Sequence, residues 1–232
     1  MTRRILACGG DQLLYRSLTE YALSLVDRPR PRVLFVPTAS GDDPSYLLSF
    51  YRAFTGFACE VSHLALFERT VDDLAGVIGA QDLVIVGGGN TANMLAIWRV
   101  HGVDRALRAA YAAGVMLSGW SAGCICWFEA GITDSFTPAL GPLREGLGLL
   151  RGSACPHYDS EGRRRPVYIA AVKAGLPAGI ALEDAVIARY DDEGLVEIVS
   201  ARPGGRAFAV SADGEWPLEV HPLAPSERME IL

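Results

Sequence analysis

The sequence has no basic run longer than Arg163-Arg164-Arg165, no Cys-x-x-Cys pair and no apolar stretch long enough to cross a bilayer. With a net charge of −6, the first absence argues against nucleic acid as a partner. The five cysteines, Cys8, Cys59, Cys124, Cys126 and Cys155, are odd in number, scattered and set mostly in apolar runs. They read as buried free thiols in a reducing compartment rather than as disulfides or zinc ligands. The first apolar segment stops at Gly9-Gly10, too short for a signal-peptide core. A cytoplasmic protein without membrane contact, metal or cofactor is therefore expected. No internal repeat or low-complexity linker interrupts the chain, so residues 1–232 read as one domain.

What is present is ordinary for a packed α/β protein: half of the residues are hydrophobic and 21% are charged. Short apolar runs at Ile5 to Cys8, Val33 to Val36, Cys59 to Leu66, Asp82 to Val86 and from Val115 read as strands. The run at Asp82 to Val86 is continuous, as in a parallel strand buried on both faces. Helical patterns lie between them, at Leu13 to Val26, after Asp43, at Val71 to Ile78, Thr91 to Val100 and Val103 to Ala113. This alternation predicts a mostly parallel sheet with helices on both faces. Beyond residue 130 the pattern loosens. Gly131 to Gly152 reads as loop, Arg163 to Ala174 as a helix, and Gly179 to Leu182, Ala185 to Tyr190, Leu195 to Ser200 and Ala207 to Val210 as short strands. The tail from Trp216 is proline-rich.

One stretch organises the rest. Val115 to Gly119 is an apolar run that ends in Gly119-Trp120-Ser121-Ala122-Gly123, and the apolar, helix-compatible run Cys124 to Ala130 follows. The pattern Gly-x-Ser-x-Gly between a strand and a helix is that of a nucleophile elbow. A serine on so tight a turn is strained, and residues two before and two after it must lack side chains to avoid strand and helix. The N–H of Ala122, at the start of the helix, is placed to hold an oxyanion. Gly87-Gly88-Gly89-Asn90 closes the preceding strand. It fails the Gly-x-Gly-x-x-Gly pattern of a dinucleotide loop, and two strand ends meeting at one sheet edge would bring it beside Ser121. The N–H of Gly89 is then the second oxyanion donor.

A serine hydroxyl needs a base. Of the four histidines, His63 sits in an apolar strand and reads as packing, His101 as a helix C-terminal cap, and His221 lies in the tail. His157, in Pro156-His157-Tyr158-Asp159, follows a short apolar segment and is the candidate base. Activity lost below about pH 6 would follow from a histidine in that role. Asp134, Asp159, Glu183 and Asp184 are candidates for the carboxylate that orients it. Asn90 is a candidate substrate contact. A guanidinium among Arg163 to Arg165, with Arg164 and Arg165 the candidates, could hold a substrate carboxylate with two hydrogen bonds, or the cluster is a solvated helix start.

Gly87-Gly88-Gly89-Asn90-Thr91, Gly119-Trp120-Ser121-Ala122-Gly123 and Pro156-His157-Tyr158, in that order, resemble the peptidase E and cyanophycinase family of serine peptidases, from Ile5 to about Tyr190. The resemblance implies a three-layer α/β sandwich like the class I glutamine amidotransferases, flavodoxin-like, with serine in place of their cysteine. It implies Ser121 as nucleophile, His157 as base, and Gly89 and Ala122 as the oxyanion hole. For the acid, the cyanophycinase-like pattern matches Gly179-Ile180-Ala181-Leu182-Glu183-Asp184 and favours Glu183, then Asp184. The aspartyl-dipeptidase pattern would use Asp134. The implied activity is hydrolysis of short peptides by a dipeptidase, aspartyl dipeptides among its substrates. The stretch after His157 is shorter than in aspartyl dipeptidases, which argues against a strict requirement for amino-terminal aspartate. The order Ser121, Asp134, His157 would also suit an α/β-hydrolase esterase, although no His-Gly-Gly-Gly loop is present. A binding protein of the same fold without activity is the third reading. Abundant apolar residues allow for a homo-oligomer.

Overall fold

The strands expected between the N-terminus and Ser121 all form, and they lie side by side. The computed structural model describes residues 2–10, 12–224 and 228; the end of the proline-rich tail lies outside the described residues, as does Asp11 of the first glycine loop. In chain order β1 (Arg4–Cys8), β2 (Arg32–Val36), β3 (Glu60–His63), β4 (Leu83–Val86) and β5 (Met116–Trp120) come first. The chain then builds a second sheet from β6 (Phe128–Thr133), β7 (Gly141–Leu143), β8 (Leu150–Cys155) and β9 (Gly179–Leu182). It returns to the first sheet with β10 (Val186–Asp191) and β11 (Gly194–Ser200), adds β12 (Ala207–Ser211) and β13 (Gly214–Leu218) to the second, and ends beside β11 with β14 (His221–Pro222). The helices are α1 (Arg16–Ser24), α2 (Pro44–Ala53), α3 (Leu74–Gly79), α4 (Thr91–His101), α5 (Val103–Ala112), α6 (Ala122–Ile125) and α7 (Arg164–Lys173).

Among the described residues the first sheet runs β14-β11-β10-β1-β5-β4-β2-β3 and the second β13-β12-β9-β8-β6-β7. β1, β5, β4, β2 and β3 are mutually parallel, and β10 turns antiparallel along the outer side of β1. All four residues of β4 are buried, as its unbroken apolar run requires. One apolar cluster packs α1 and α2 on one face of the first sheet, through Leu18, Phe35, Phe50 and Trp120. A larger one fills the other face and joins both sheets, from Ile5, Leu34 and Val84 through Met94, Trp98 and Leu107 to Leu150, Ile180 and Ala207. A third packs α7 on the second sheet around Tyr158, Tyr168 and Phe208. Local signals set the helix ends: Asp43 and Asn90 accept the N–H groups of Ser45 and Asn93, and Gly102 closes α4 in the left-handed conformation.

Three expectations change. The run Cys124 to Ala130 is not one helix: α6 ends at Ile125, and Phe128 opens a strand whose Ala130 pairs with Ser153. A continuous apolar run has no period by which to tell buried helix from buried strand. Gly131 to Gly152 is not loop but carries the second half of β6, all of β7 and the start of β8. Its glycines and prolines fit close strand approaches and an edge: a side chain on Gly131 would meet Ile125 and the Ala154 carbonyl, and Pro142 lies on the edge strand β7. His63 does not pack in an apolar interior. β3 is the edge of the first sheet, and His63 is exposed there with its Nδ1 2.8 Å from the Tyr51 hydroxyl.

Candidate active site

Three neighbouring parallel strands of the first sheet deliver their carboxyl ends to one place. β1 ends in Gly9-Gly10, β4 in Gly87-Gly88-Gly89 and β5 in Ser121. Ser121 stands between strand and helix with φ 55° and ψ −114°, a conformation costly for a residue with a Cβ and one concentrated at functional sites. The flanking glycines are required by contact. A Cβ on Gly119 would lie 2.6 Å from the Gly123 carbonyl oxygen, and one on Gly123 would lie 2.8 Å from the Val86 carbonyl carbon. Phe35 stacks on Trp120 at 5.8 Å and fixes the residue that precedes the serine.

The glycine run after β4 reaches the serine as expected. A Cβ on Gly88 would sit 3.1 Å from Ser121 Cβ, and Gly89 has φ 133°, with the Ala39 backbone where a side chain would go. Among the described residues, neither the Gly89 nor the Ala122 N–H has an acceptor. Ala122 opens α6, and Gly89 lies just before the N-cap of α4 on the cavity walls that also hold Ser121.

The histidine comes from the second sheet. β8 and β9 are parallel neighbours, with Cys155 opposite Ala181, so His157 and Asp184 extend from the same edge. His157 Nδ1 lies 2.6 Å from Asp184 Oδ1. The glycines after β1 hold this pair. Gly9 carbonyl accepts the His157 N–H at 3.1 Å, Gly10 carbonyl accepts the Ala185 N–H at 3.0 Å, and a Cβ on Gly10 would lie 2.6 Å from His157 Cε1. His157 and Ala185 both have positive φ, 54° and 62°. Burial pushes the Asp184 pKa up, but hydrogen bonds from His157 and Ser160 and the charges of His157 and Arg202 outweigh it and hold it below the ordinary aspartate value.

The other acids are elsewhere. Glu183, 2% exposed, turns away from His157: its carboxylate accepts from the Arg202 guanidinium at 2.9 Å, the Arg206 N–H at 2.9 Å and Arg206 Nε at 2.8 Å. Asp159 accepts the Asp184 N–H at 3.0 Å and pairs with Arg202, so it holds the backbone of the His157 partner. Asp134 is exposed in the loop after β6. Arg164 is buried, with Nε 2.7 Å from Glu161 Oε2 and Nη1 2.9 Å from the Ile132 carbonyl. Arg165 stands away from the serine, paired with Glu215 over the rings of Tyr158 and Phe208. Asn90 caps α4 and ties its Nδ2 to the Ser135 carbonyl.

Ser121 opens on two cavities. One, of about 380 Å³, is lined by His157, Trp120, Gln12, Leu13, Leu14 and Tyr46 among others. The second, of about 390 Å³, lies between Asn90, Asp134, Glu161 and Arg164 and shares Ser121 and Gly89 with the first. Gln12 and Gly10 are site residues that sequence reasoning missed; the Gly9-Gly10 loop was visible, but nothing local showed which residues it would meet. Gln12 donates to Ser118 Oγ at 2.7 Å, and its Oε1 is buried without a partner among the described residues. The thiols nearby are no rival nucleophiles: burial pushes Cys124 and Cys126 far up and Cys155 up to about 12. No helix is long and apolar enough to cross a membrane, and no group of three or more metal-ligating side chains gathers, among the described residues.

The sequence pattern of peptidase family S51 matches residues 5–198. A Bacillus subtilis (strain 168) protein named uncharacterized peptidase YgaJ is 42% identical over 215 residues, covering 90% of this chain and 92% of its own. A peptidase from an acI-B1 Actinobacterium superposes with a TM-score of 0.73 at 15% identity, over 95% of both chains. A Listeria monocytogenes EGD-e protein that carries a provisional peptidase E name does so with a TM-score of 0.65 at 15% identity, over 84% of this chain and 98% of its own. The fold is that of the class I glutamine amidotransferase-like proteins, a mostly parallel sheet between helical layers.

Proposed function

The chain belongs to peptidase family S51, a family of serine peptidases, and from that premise we propose that it is a dipeptidase in which Ser121, His157 and Asp184 form the triad. The observation that carries this reading is the 2.6 Å contact of His157 Nδ1 with Asp184, on the wall of the cavity that Ser121 opens on. With Nδ1 committed to the carboxylate, Nε2 is the free acceptor. It takes the Ser121 proton as Oγ bonds to the scissile carbonyl carbon. The N–H groups of Gly89 and Ala122 hold the resulting oxyanion. The imidazolium passes its proton to the leaving nitrogen as the C–N bond breaks. Water then attacks the acyl-enzyme, losing one proton to His157, which returns it to Ser121 Oγ. The products are an amino acid or short carboxylate and a free amine, and Asp184 stays ionised throughout, steadying the imidazolium.

Cavities of a few hundred Å³ match a substrate of two residues better than a long chain. Hydrolysis of Ala-Leu, Leu-Leu, Met-Leu and Asp-Leu by wild type and by Ser121→Ala tests the reading. Wild type should cleave at least one of the four, and Ser121→Ala should lose about 10⁴-fold or more in kcat/KM. Folded wild-type protein that cleaves none of them would sink the dipeptidase assignment.

A further inference from the structure

The turn that carries Asp184 is held from behind by the loop between β11 and β12, where the chain passes from the first sheet back to the second. Ala201 N–H donates to the Ala185 carbonyl at 3.0 Å. Buried Ser200 closes on the next residue but one: its Oγ accepts the Arg202 N–H at 3.2 Å and donates to the Arg202 carbonyl at 2.8 Å. A Cβ on Gly205 would lie 2.2 Å from that hydroxyl oxygen, so the loop folds onto Ser200 with no side chain between. The backbone of Arg202 is thereby fixed close to Ala185, the residue after Asp184.

The Arg202 side chain reaches two acids through one nitrogen. Nη2 donates to Asp159 and, at 2.9 Å, to Glu183. Asp159 lies two residues beyond His157, and its other oxygen accepts the Asp184 N–H at 3.0 Å. One carboxylate therefore ties the segment of the histidine to the segment of the aspartate, and Arg202 holds that carboxylate in place. Charge matters here as well. Asp159, Glu183 and Asp184 gather around the turn; Arg202 stands between the first two, and the largely exposed Arg206 answers Glu183 from the other side. The Arg202 charge also reaches Asp184: burial pushes that carboxyl up, and Arg202 is among the hydrogen bonds and charges that bring it below its ordinary value.

Resting on the triad proposed above, we infer that Arg202 is a positioning residue for the reaction: it steadies Asp159, and through Asp159 the Asp184 backbone, in the register at which the Asp184 carboxylate meets His157 Nδ1. Arg202 lines neither cavity at Ser121 and acts only through the two carboxylates it holds.

Variants assayed on whichever dipeptide the wild type cleaves best test this. Arg202→Ala should lower kcat and kcat/KM together by about 100-fold, the cost of moving a catalytic group by an ångström or so, with KM little changed. Loss of the guanidinium leaves Asp159 and Glu183 unmatched behind the imidazole and favours its protonated form. The acid limb of kcat/KM should therefore move to higher pH, by about half a unit or more. Arg202→Lys, whose ammonium presents three donors on one nitrogen, should regain about tenfold or more of the lost kcat. Asp159→Ala should fall as far as Arg202→Ala, and the double variant no further, because the same link is removed only once. Asp159→Asn keeps an acceptor for the Asp184 N–H, serves in place of Arg202→Ala if that variant does not fold, and should lose about tenfold. Arg202→Ala, folded by circular dichroism, with kcat within about threefold of wild type would overturn the inference and leave the triad standing. So would a fall in kcat with the acid limb unmoved, or losses that add in the double variant. Wild-type protein that cleaves no dipeptide and is not labelled at Ser121 by a fluorophosphonate would instead bring down the triad reading, and this inference with it.

Discussion

Glu183 and Asp184 are neighbours with opposite employment, and the difference is a matter of half a turn of backbone. Glu183 is sealed against Arg202 and Arg206, and Asp184 meets His157. Sequence order cannot rank two adjacent acids at a strand end, because which one faces the histidine depends on how β9 hands over to Ala185 with its positive φ. Exchanging each in turn separates the roles. Asp184→Asn should lower kcat by about 10⁴-fold with the fold retained, as loss of the orienting carboxylate does in serine proteases. Glu183→Gln should do the reverse, costing about 1–3 kcal/mol in urea denaturation, since both arginines remain partly in solvent, and lowering kcat far less. Asp184 also sets a pH signature. Its pKa is lower in the folded protein than in the unfolded chain, so its contacts contribute stability above the ordinary aspartate range, near pH 3.9, and that contribution is lost as pH falls through the folded value. In thermal melts from pH 7 to pH 3, wild type should lose this increment and Asp184→Asn should lack it. Parallel curves for the two proteins would show that the carboxylate has no such linkage.

At the scale of elements, legibility followed periodicity. β1, β2, β4 and α2, α4 and α5 were readable because apolar runs, capping residues and Gly102 agree. The glycine loop after β4 and the Ser121 turn were readable because each chemistry needs a glycine at a fixed place. Of the second sheet β9 and β12 were readable, and its first three strands were not. β6 begins inside an apolar run without a period, and β7 and β8 lie in a glycine- and proline-rich stretch whose composition signals loop. The same blind spot covers the loop after β1. Gly10 has no positive φ and no motif, yet it is the surface on which His157 and Asp184 rest. Gly10→Ala should therefore leave the circular dichroism spectrum unchanged and lower kcat by about 100-fold, the cost of displacing a catalytic group by an ångström or so. Full activity in this variant would mean that the loop yields without moving the pair.

At the scale of the molecule, Ser121 and the two N–H groups proposed to hold the oxyanion extend from one sheet, and His157 and Asp184 from the end of another. What joins them is the largest apolar cluster, which runs without a break from Ile5 and Val84 to Leu150, Ile180 and Ala207. We propose that a shared core of this kind couples the two sheets into one cooperative unit. The chain should then lose dipeptide hydrolysis and far-ultraviolet circular dichroism at the same denaturant concentration. Inactivation well ahead of the spectral change would show the second sheet opening by itself.

The division of the site between the sheets has a consequence for how such an enzyme is made. During synthesis Ser121 leaves the ribosome before His157, and His157 before Asp184. If Ser121 and His157 act as proposed, a growing chain that has made the serine turn still lacks its base and is expected to be inert toward peptides. On the proposed triad, competence is expected only when Gly9 and Gly10 close on His157 and Ala185, which follow them by about 150 residues or more. On that reading the site depends on both sheets being made, and a chain truncated before β8 would carry Ser121 without the histidine proposed to activate it.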